Sequence, residues 1–338
     1  MTAISRRRFL SAALTAPALR AAKNRNRIDR SRIGAISDEI AGSPEGAIAF
    51  NRQYGLKWFE LRSVPGNKSA NYFYMPEPDL RAAAKQFADS GMKISVLDTN
   101  LLKFGLPGTE PVRRKSETPD TRAKRLAHEQ AEFDKRMDNL AQCIRSAHIL
   151  DCKLVRVFTF SRVQEPESVF QRVADILGDM AKAAESEGVH LVIENETSCN
   201  AAKCSEVAAI LKMVPSQVLG HNWDVLNGYN MHETPYPDGY ALLPKERILN
   251  VQIKGKSVLD YPEHLDWIPI FHALERDGYR GCYDLETHIF GPTQIQASHA
   301  SMREILRLVE SVQDAPVSSI GSTARPPRSV VRGLLRMA

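Results

Sequence analysis

Eight short apolar runs punctuate the chain between Ile33 and Val312, and between most of them lie longer stretches of helical periodicity. The runs are Ile33–Ser37, Trp58–Leu61, Lys93–Leu97, Leu154–Phe158, His190–Ile193, Val218–Trp223, Leu249–Ile253 and Gly281–Leu285, each of strand length. Phe133, Met137, Leu140, Ile144 and Ala147 recur at three- and four-residue steps and predict one apolar helix face. Val169, Val173, Ile176, Leu177 and Met180 predict a second, and Ile305, Leu308, Val309 and Val312 line the last helix. Eight strands alternating with helices over about 280 residues predict a single (β/α)8 TIM barrel. A doubly wound open sheet is the alternative. It expects a glycine-rich dinucleotide loop after the first strand, where Ala35-Ile36-Ser37-Asp38-Glu39 stands instead.

Four of the runs stop at a polar side chain able to hold a metal. LVIENE, LGHNWD, NVQIK and CYDLE present Glu194, Asp224, Gln252 and Glu286. Groups at the carboxyl ends of separate barrel strands are each held by a rigid element and can converge on one point. Three carboxylates facing one region repel one another, and a divalent cation relieves that repulsion. Oxygen-only ligands suit Mg2+ or Mn2+. Taken alone, Glu194 would serve equally as the ion-pair partner of a neighbouring Arg. Glu196, Asp284 and His288 lie close enough in sequence to support the ligands, or strand alternation could turn Glu196 and Asp284 differently from them. The long connections from Asn100 to Pro119 and from Asn227 to Gly239 are candidate pocket walls, the second carrying Tyr229, His232 and Tyr236.

The order of these motifs resembles the xylose-isomerase-like TIM-barrel family, the sugar phosphate isomerase/epimerase group, over roughly Ile33 to Val312. The resemblance is carried by Phe59-Glu60-Leu61-Arg62, Val155-Arg156-Val157-Phe158, Glu194-Asn195, Asp224 with Asn227, Ile253-Lys254 and Glu286. It implies that Glu194 and Glu286 bind the metal and act as acid and base, and that Asp224 is a ligand. Gln252 stands where many members have His, Asn227 where epimerases often carry a substrate-binding His, and Gly255 where Asp is common. An amide oxygen still suits a hard cation, so Gln252 stays in the ligand set.

The expected reaction is isomerisation or epimerisation of a sugar, keto-sugar or related polyol through an enediolate. The ion would polarise a carbonyl, one of Glu194 and Glu286 would remove the neighbouring carbon-bound proton, and the other would return one. Arg156, Asn227, Lys254 and His232 are the expected substrate-binding residues; Arg156 could instead form a structural pair with a barrel carboxylate. A metal-dependent sugar lyase or dehydratase is the alternative, and a noncatalytic carbohydrate-binding protein a third.

Charge and the two ends refine this picture. The formal net charge is +5, but residues 1–30 hold eight Arg and Lys against one Asp, and residues 314–338 hold four Arg against Asp314. The body between them is therefore acidic, at −5, which argues against binding a phosphate backbone. Ser5-Arg6-Arg7-Arg8-Phe9-Leu10 followed by SAALTAPAL resembles a twin-arginine export signal, too short for a stable membrane span. Residues 1–30 are thus expected to be signal and linker, 31–313 the barrel, and 314–338 a disordered basic tail. The expected location is the periplasm, with the twin-arginine export machinery as a partner.

Overall fold

The computed structural model describes residues 28–112, 116–263 and 265–314. The predicted export signal ahead of Ile28, the run Arg113-Arg114-Lys115 and the basic tail lie outside the described residues. The strands are β1 (Ile33–Ile36), β2 (Trp58–Leu61), β3 (Ser63–Val64), β4 (Asn67–Asn71), β5 (Lys93–Leu97), β6 (Leu154–Val157), β7 (His190–Glu194), β8 (Leu219–Asp224), β9 (Ile248–Lys254) and β10 (Tyr283–Glu286). Eight of them close into a barrel in the order β1-β10-β9-β8-β7-β6-β5-β2, with every neighbouring pair parallel. This is the (β/α)8 barrel that the periodicity predicts, and the eight predicted runs all fall on its strands. The antiparallel β3–β4 ribbon is an addition that follows β2 directly.

Alternation along each strand sorts the side chains into two environments. Phe59, Val155, Val157, Leu191, Ile193, Val251, Ile253, Tyr283 and Leu285 are fully buried in the core shared with the helices. The helix Phe170–Ser186 adds Val173, Leu177, Met180, Ala181 and Ala184 to that core. The alternate positions face the lumen, and here the barrel departs from the layers of branched aliphatic residues that usually fill one. Asn250 Nδ2 and Gln252 Nε2 on β9 donate to Glu60 Oε1 and Oε2 on β2, at 2.8 and 3.1 Å. Strands β9 and β2 are not neighbours, so these bonds cross the interior. The lumen is polar from the middle upward.

Two local readings change. The face running through Phe133 and Met137 spans two helices, Pro119–Asp134 and Arg136–Ile149, which meet at Lys135. The acidic segment after β1 forms a short helix, Ser37–Ile40, that buries Asp38 and Glu39. Ile305, Leu308, Val309 and Val312 lie buried on the helix Gln294–Asp314 as expected. All five cysteines are free. Among the described residues no helix is long and apolar enough to cross a membrane.

Candidate active site

Strands β7, β8, β9 and β10 are consecutive neighbours and form one half of the barrel wall. β7, β8 and β10 end in Glu194, Asp224 and Glu286 as the sequence predicts, whereas β9 runs two residues past Gln252 and ends at Lys254. One ligand-capable atom from each of Glu194, Asp224 and Glu286 lies within 4.8 Å of the others, and all three residues are buried. The sequence expectation that these side chains meet is realised in the geometry. The register explains where the fourth candidate falls. Asp224 pairs with Gln252 across β8–β9, but Gln252 pairs with Asp284 and Lys254 with Glu286 across β9–β10. Lys254 therefore stands level with Glu286, and Gln252 one step deeper.

Lys254 Nζ donates to Asp224 Oδ2 and, at 2.8 Å, to Glu286 Oε2. Arg156 Nη1 donates to Glu194 Oε2 at 2.6 Å and lies 3.3 Å from Asp98 Oδ2. Arg62 joins Asp38 and Glu39 at 3.0 and 2.9 Å and reaches Glu286 at 3.7 Å. Desolvation would raise Glu286, but the Lys254 ammonium overrides it, with His288 and Arg62 helping, and holds that carboxyl well below its usual range. Burial pushes Asp224 up to about 7 against the pull of Lys254. Burial alone would depress Lys254; Asp224 and Glu286 instead hold its ammonium well above the ordinary range. Burial also raises Asp98 to about 7, with Arg156 opposing.

Lys254 and His288, which touch the cluster, also line a neighbouring cavity of about 340 Å³ together with Glu196, Thr197, Leu226, Asn227, Tyr229, Asn230 and Lys256. Of the expected substrate-binding residues, Asn227 and Lys254 stand on this wall. Arg156 is buried against Glu194 and Asp98 and lies off it; His232 is exposed on its loop at φ 61° and also lies off it. Glu196 belongs to the wall, paired with Lys103 at 2.9 Å. Burial works against ionising it, yet Lys103 holds it at about 2. His288 sits 3.2 Å from Glu286 Oε1, a contact that raises its pKa. A larger cavity of about 520 Å³ touches the starts of the strands, through Trp58, Lys93, Leu154 and Leu249, and carries none of the converging carboxylates.

Sequence reasoning passed over the other half of the mouth. Asp38 and Glu39 after β1, Arg62 after β2 and Asp98 after β5 are acidic or basic groups at strand ends of the same kind. Glu39, Glu286 and His288 form a second close triad. Asn195, named in the sequence only as part of a motif, has a role the sequence did not show: it fastens β7 to β8 through both backbone groups of Asp224.

The donor set fits a hard divalent ion. Three carboxylates converge, and beside Asp224 the buried Gln252 Oε1 lacks a hydrogen-bond partner, which leaves an oxygen of the right chemistry uncommitted. Gln252 Nε2 is already committed to Glu60, so only the oxygen remains to be used.

Comparison with known proteins agrees with this geometry. The family described as xylose isomerase-like TIM barrel matches residues 48–307. No curated protein sequence matches the chain. An L-ribulose 3-epimerase structure superposes with a TM-score of 0.60 at 18% identity, covering 88% of this chain and 100% of that one. The IOLI protein with a bound zinc atom gives 0.60 at 13%, covering 84% and 100%. A xylose isomerase-like TIM barrel protein from Mycobacterium smegmatis in complex with magnesium gives 0.60 at 12%, covering 83% and 97%. At these identities the structural likeness establishes the fold. With the family match and the carboxylate cluster, it supports membership in a superfamily of metal-dependent sugar isomerases, epimerases and lyases. The chain belongs to the xylose isomerase-like TIM-barrel family.

Proposed function

We propose that this protein is a divalent-metal-dependent isomerase or epimerase of a sugar, keto-sugar or related polyol, working through an enediolate. The observation that carries this reading is the meeting of Glu194, Asp224 and Glu286 beside a small polar cavity. Its volume lies at the lower end of the usual range for ligand pockets, as a monosaccharide-sized substrate requires. Glu194, Asp224, Glu286 and Gln252 Oε1 would hold the ion, and their oxygen chemistry favours Mg2+ or Mn2+. When bound, that ion would supply electrophilic polarisation of the substrate carbonyl. An L-ribulose 3-epimerase among the structural relatives is consistent with a sugar substrate.

The chain's own groups supply the proton transfers. Glu194 and Glu286 end the two outer strands of the four, so a substrate lying across Asp224 is flanked by a carboxylate on either side. One carboxylate takes the proton from the carbon next to the carbonyl. The other returns a proton, to the opposite face for epimerisation or to the adjacent carbon for isomerisation. Asn227 and Lys254 on the cavity wall hold substrate oxygens. Leu226 and Tyr229 add apolar surface to that wall.

Residues Arg6 and Arg7 with the apolar segment behind them support export of the folded protein to the periplasm, where free sugars or their oxidised derivatives would be the available substrates. Cell fractionation of the full chain, with Arg6 and Arg7 changed to Lys, tests that part separately.

The chemistry is tested by incubating the protein with Mn2+ and a panel of keto-sugars in D2O. Appearance of an isomer with deuterium at the carbon beside the carbonyl is the expected result. Binding of a sugar without exchange would reject catalysis, and a product one water lighter than the substrate would convert the assignment to a lyase.

A further inference from the structure

We infer that Lys254 holds the place of the ion in the metal-free protein, and that loading the ion moves its ammonium into the substrate cavity. The inference rests on the metal-dependent reading above. Lys254 Nζ bridges Asp224 Oδ2 and Glu286 Oε2, two of the three carboxylates that would ligate the ion. The other oxygens of these two are also engaged. Asp224 Oδ1 accepts from the backbone N–H of Asn227 at 2.9 Å, and Glu286 Oε1 faces His288 Nδ1 at 3.2 Å and Arg62 at 3.7 Å.

An arriving cation competes with these partners for the carboxylate oxygens, and the competitors differ in freedom. The Asn227 amide is fixed by its helix, and Arg62 is tied to Asp38 and Glu39 as well. Lys254 is a point charge on a flexible four-carbon stem, and it is the group that touches both carboxylates. A divalent ion beside its ammonium would face like-charge repulsion in a buried site, where charges are poorly screened.

The way out is the cavity. Lys254 already forms part of its wall, together with Glu196, Asn227 and His288. Glu196, paired with Lys103 on that wall, offers the ammonium a counter-charge there. Released there, the ammonium faces the space a substrate occupies and can donate to a hydroxyl or to the oxygen that gains negative charge during enolisation. Ion binding thus prepares the substrate site, and the order of binding is ion first, sugar second.

The test measures exposure of the amine and affinity for the ion, not turnover. Acetic anhydride labelling of the full chain, read by peptide mass spectrometry, is run with and without Mn2+. Faster labelling of Lys254 when Mn2+ is present is the expected result. Calorimetric titration of Mn2+ into Lys254→Met should give binding ~10-fold or more tighter than the parent, because the competing charge is gone. Mn2+ binding by the parent with unchanged or slower labelling of Lys254 would overturn the displacement while leaving the metal-dependent function standing. Absence of Mn2+ binding by both proteins would instead overturn the functional reading, and this inference with it. Should Lys254→Met fail to fold, the labelling of the parent decides alone.

Discussion

Asn195 grips Asp224 by both of its backbone polar groups: its Nδ2 donates to Asp224 O at 2.7 Å and its Oδ1 accepts from Asp224 N at 2.8 Å. The same Oδ1 stands 3.0 Å from His221 Nε2. Burial holds the His221 pKa down at about 3, so the ring is neutral and its Nε2–H is the donor. Because Asn195 follows Glu194, one side chain sets the relative position of two of the converging carboxylates. Asn195→Ala leaves the Asp224 backbone groups and His221 Nε2 without their buried partner. A buried group left unsatisfied costs roughly 1–3 kcal/mol, and a total loss of about 3 kcal/mol is expected. Urea unfolding measures it, and Mn2+ titration should show weaker binding as Asp224 shifts. A loss under about 1 kcal/mol would mean that water or a neighbour replaces the clamp.

Arg156 is sandwiched between Asp98 and Glu194 beneath the cavity and is almost completely buried. Its Nε also donates to Thr99 O at 3.3 Å. Removing one member of a buried charge group is expensive because the remaining charges stay in a poorly solvated place. Arg156→Met should therefore lower stability by roughly 3–5 kcal/mol. The partial cure is to remove a second charge. Adding Asp98→Asn should recover part of the loss, whereas a role confined to substrate binding predicts no such recovery in the unfolding curve.

How much of this was legible in the chain depends on the kind of signal. Barrel strands announce themselves as short apolar runs because their outward residues pack under helices, and all eight were placed from that pattern. Glu194, Asp224 and Glu286 were legible because each closes such a run. What the pattern could not give is register. Gln252 and Lys254 share a face, and only the pairing of Lys254 with Glu286 shows that the lysine stands at the carboxylates. The separation of His232 from the cavity is set by a loop turning through a positive φ, which hydropathy does not encode. The charges after β1, β2 and β5 carried a strand-end signal as clear as the others. Asp38 and Glu39 enter the sequence pattern only as loop residues, Arg62 only within a motif and Asp98 not at all, because none of them closes its apolar run with a ligand the family shares.

Asp284 gives the lumen a pH signature. It is fully buried on β10, where Ser95 and Asn250 are committed elsewhere and reach it only weakly. Burial raises its pKa from 3.8 to about 7, tempered by nearby Ser95 and Asn250. The folded protein thus holds a proton here that the unfolded chain gives up. The associated stability is complete below about pH 4 and drains away as pH climbs through 7, by on the order of 4 kcal/mol. Asp284→Asn removes that dependence. Subtracting its unfolding free energy from that of the parent, across pH 4 to 8, should expose the change, with the variant the more stable at pH 8. A flat difference curve would place the Asp284 carboxyl in its ordinary range. Asp98 and Asp224 titrate in both proteins; Glu60, whose pKa is raised by burial, Asp98 and the Asp284 charge, is relieved in the variant and adds to the difference in the same direction.

Gly34 on β1 is required by the same carboxylate. A Cβ built there would lie 1.9 Å from Asp284 Oδ1 and 2.9 Å from Trp58 Cβ and O. Gly34 pairs with Asp284 on one side and with Trp58 on the other, so the barrel wall offers no direction of retreat. Its lack of a side chain is what allows the acid of the neighbouring strand to lie flat across β1. Gly34→Ala is overpacked, and overpacking of a tight interior typically costs 1–3 kcal/mol. The upper part of that range, about 3 kcal/mol, is expected because strand backbone as well as side chain is in the way. Shortening the partner should relieve part of it: Gly34→Ala with Asp284→Ser removes the 1.9 Å clash and leaves the 2.9 Å approach to Trp58. A double-mutant cycle in urea measures the coupling, and contacting pairs show interaction energies of about 0.5–3 kcal/mol. Strict additivity would mean that Asp284 lies elsewhere and that another neighbour enforces the glycine.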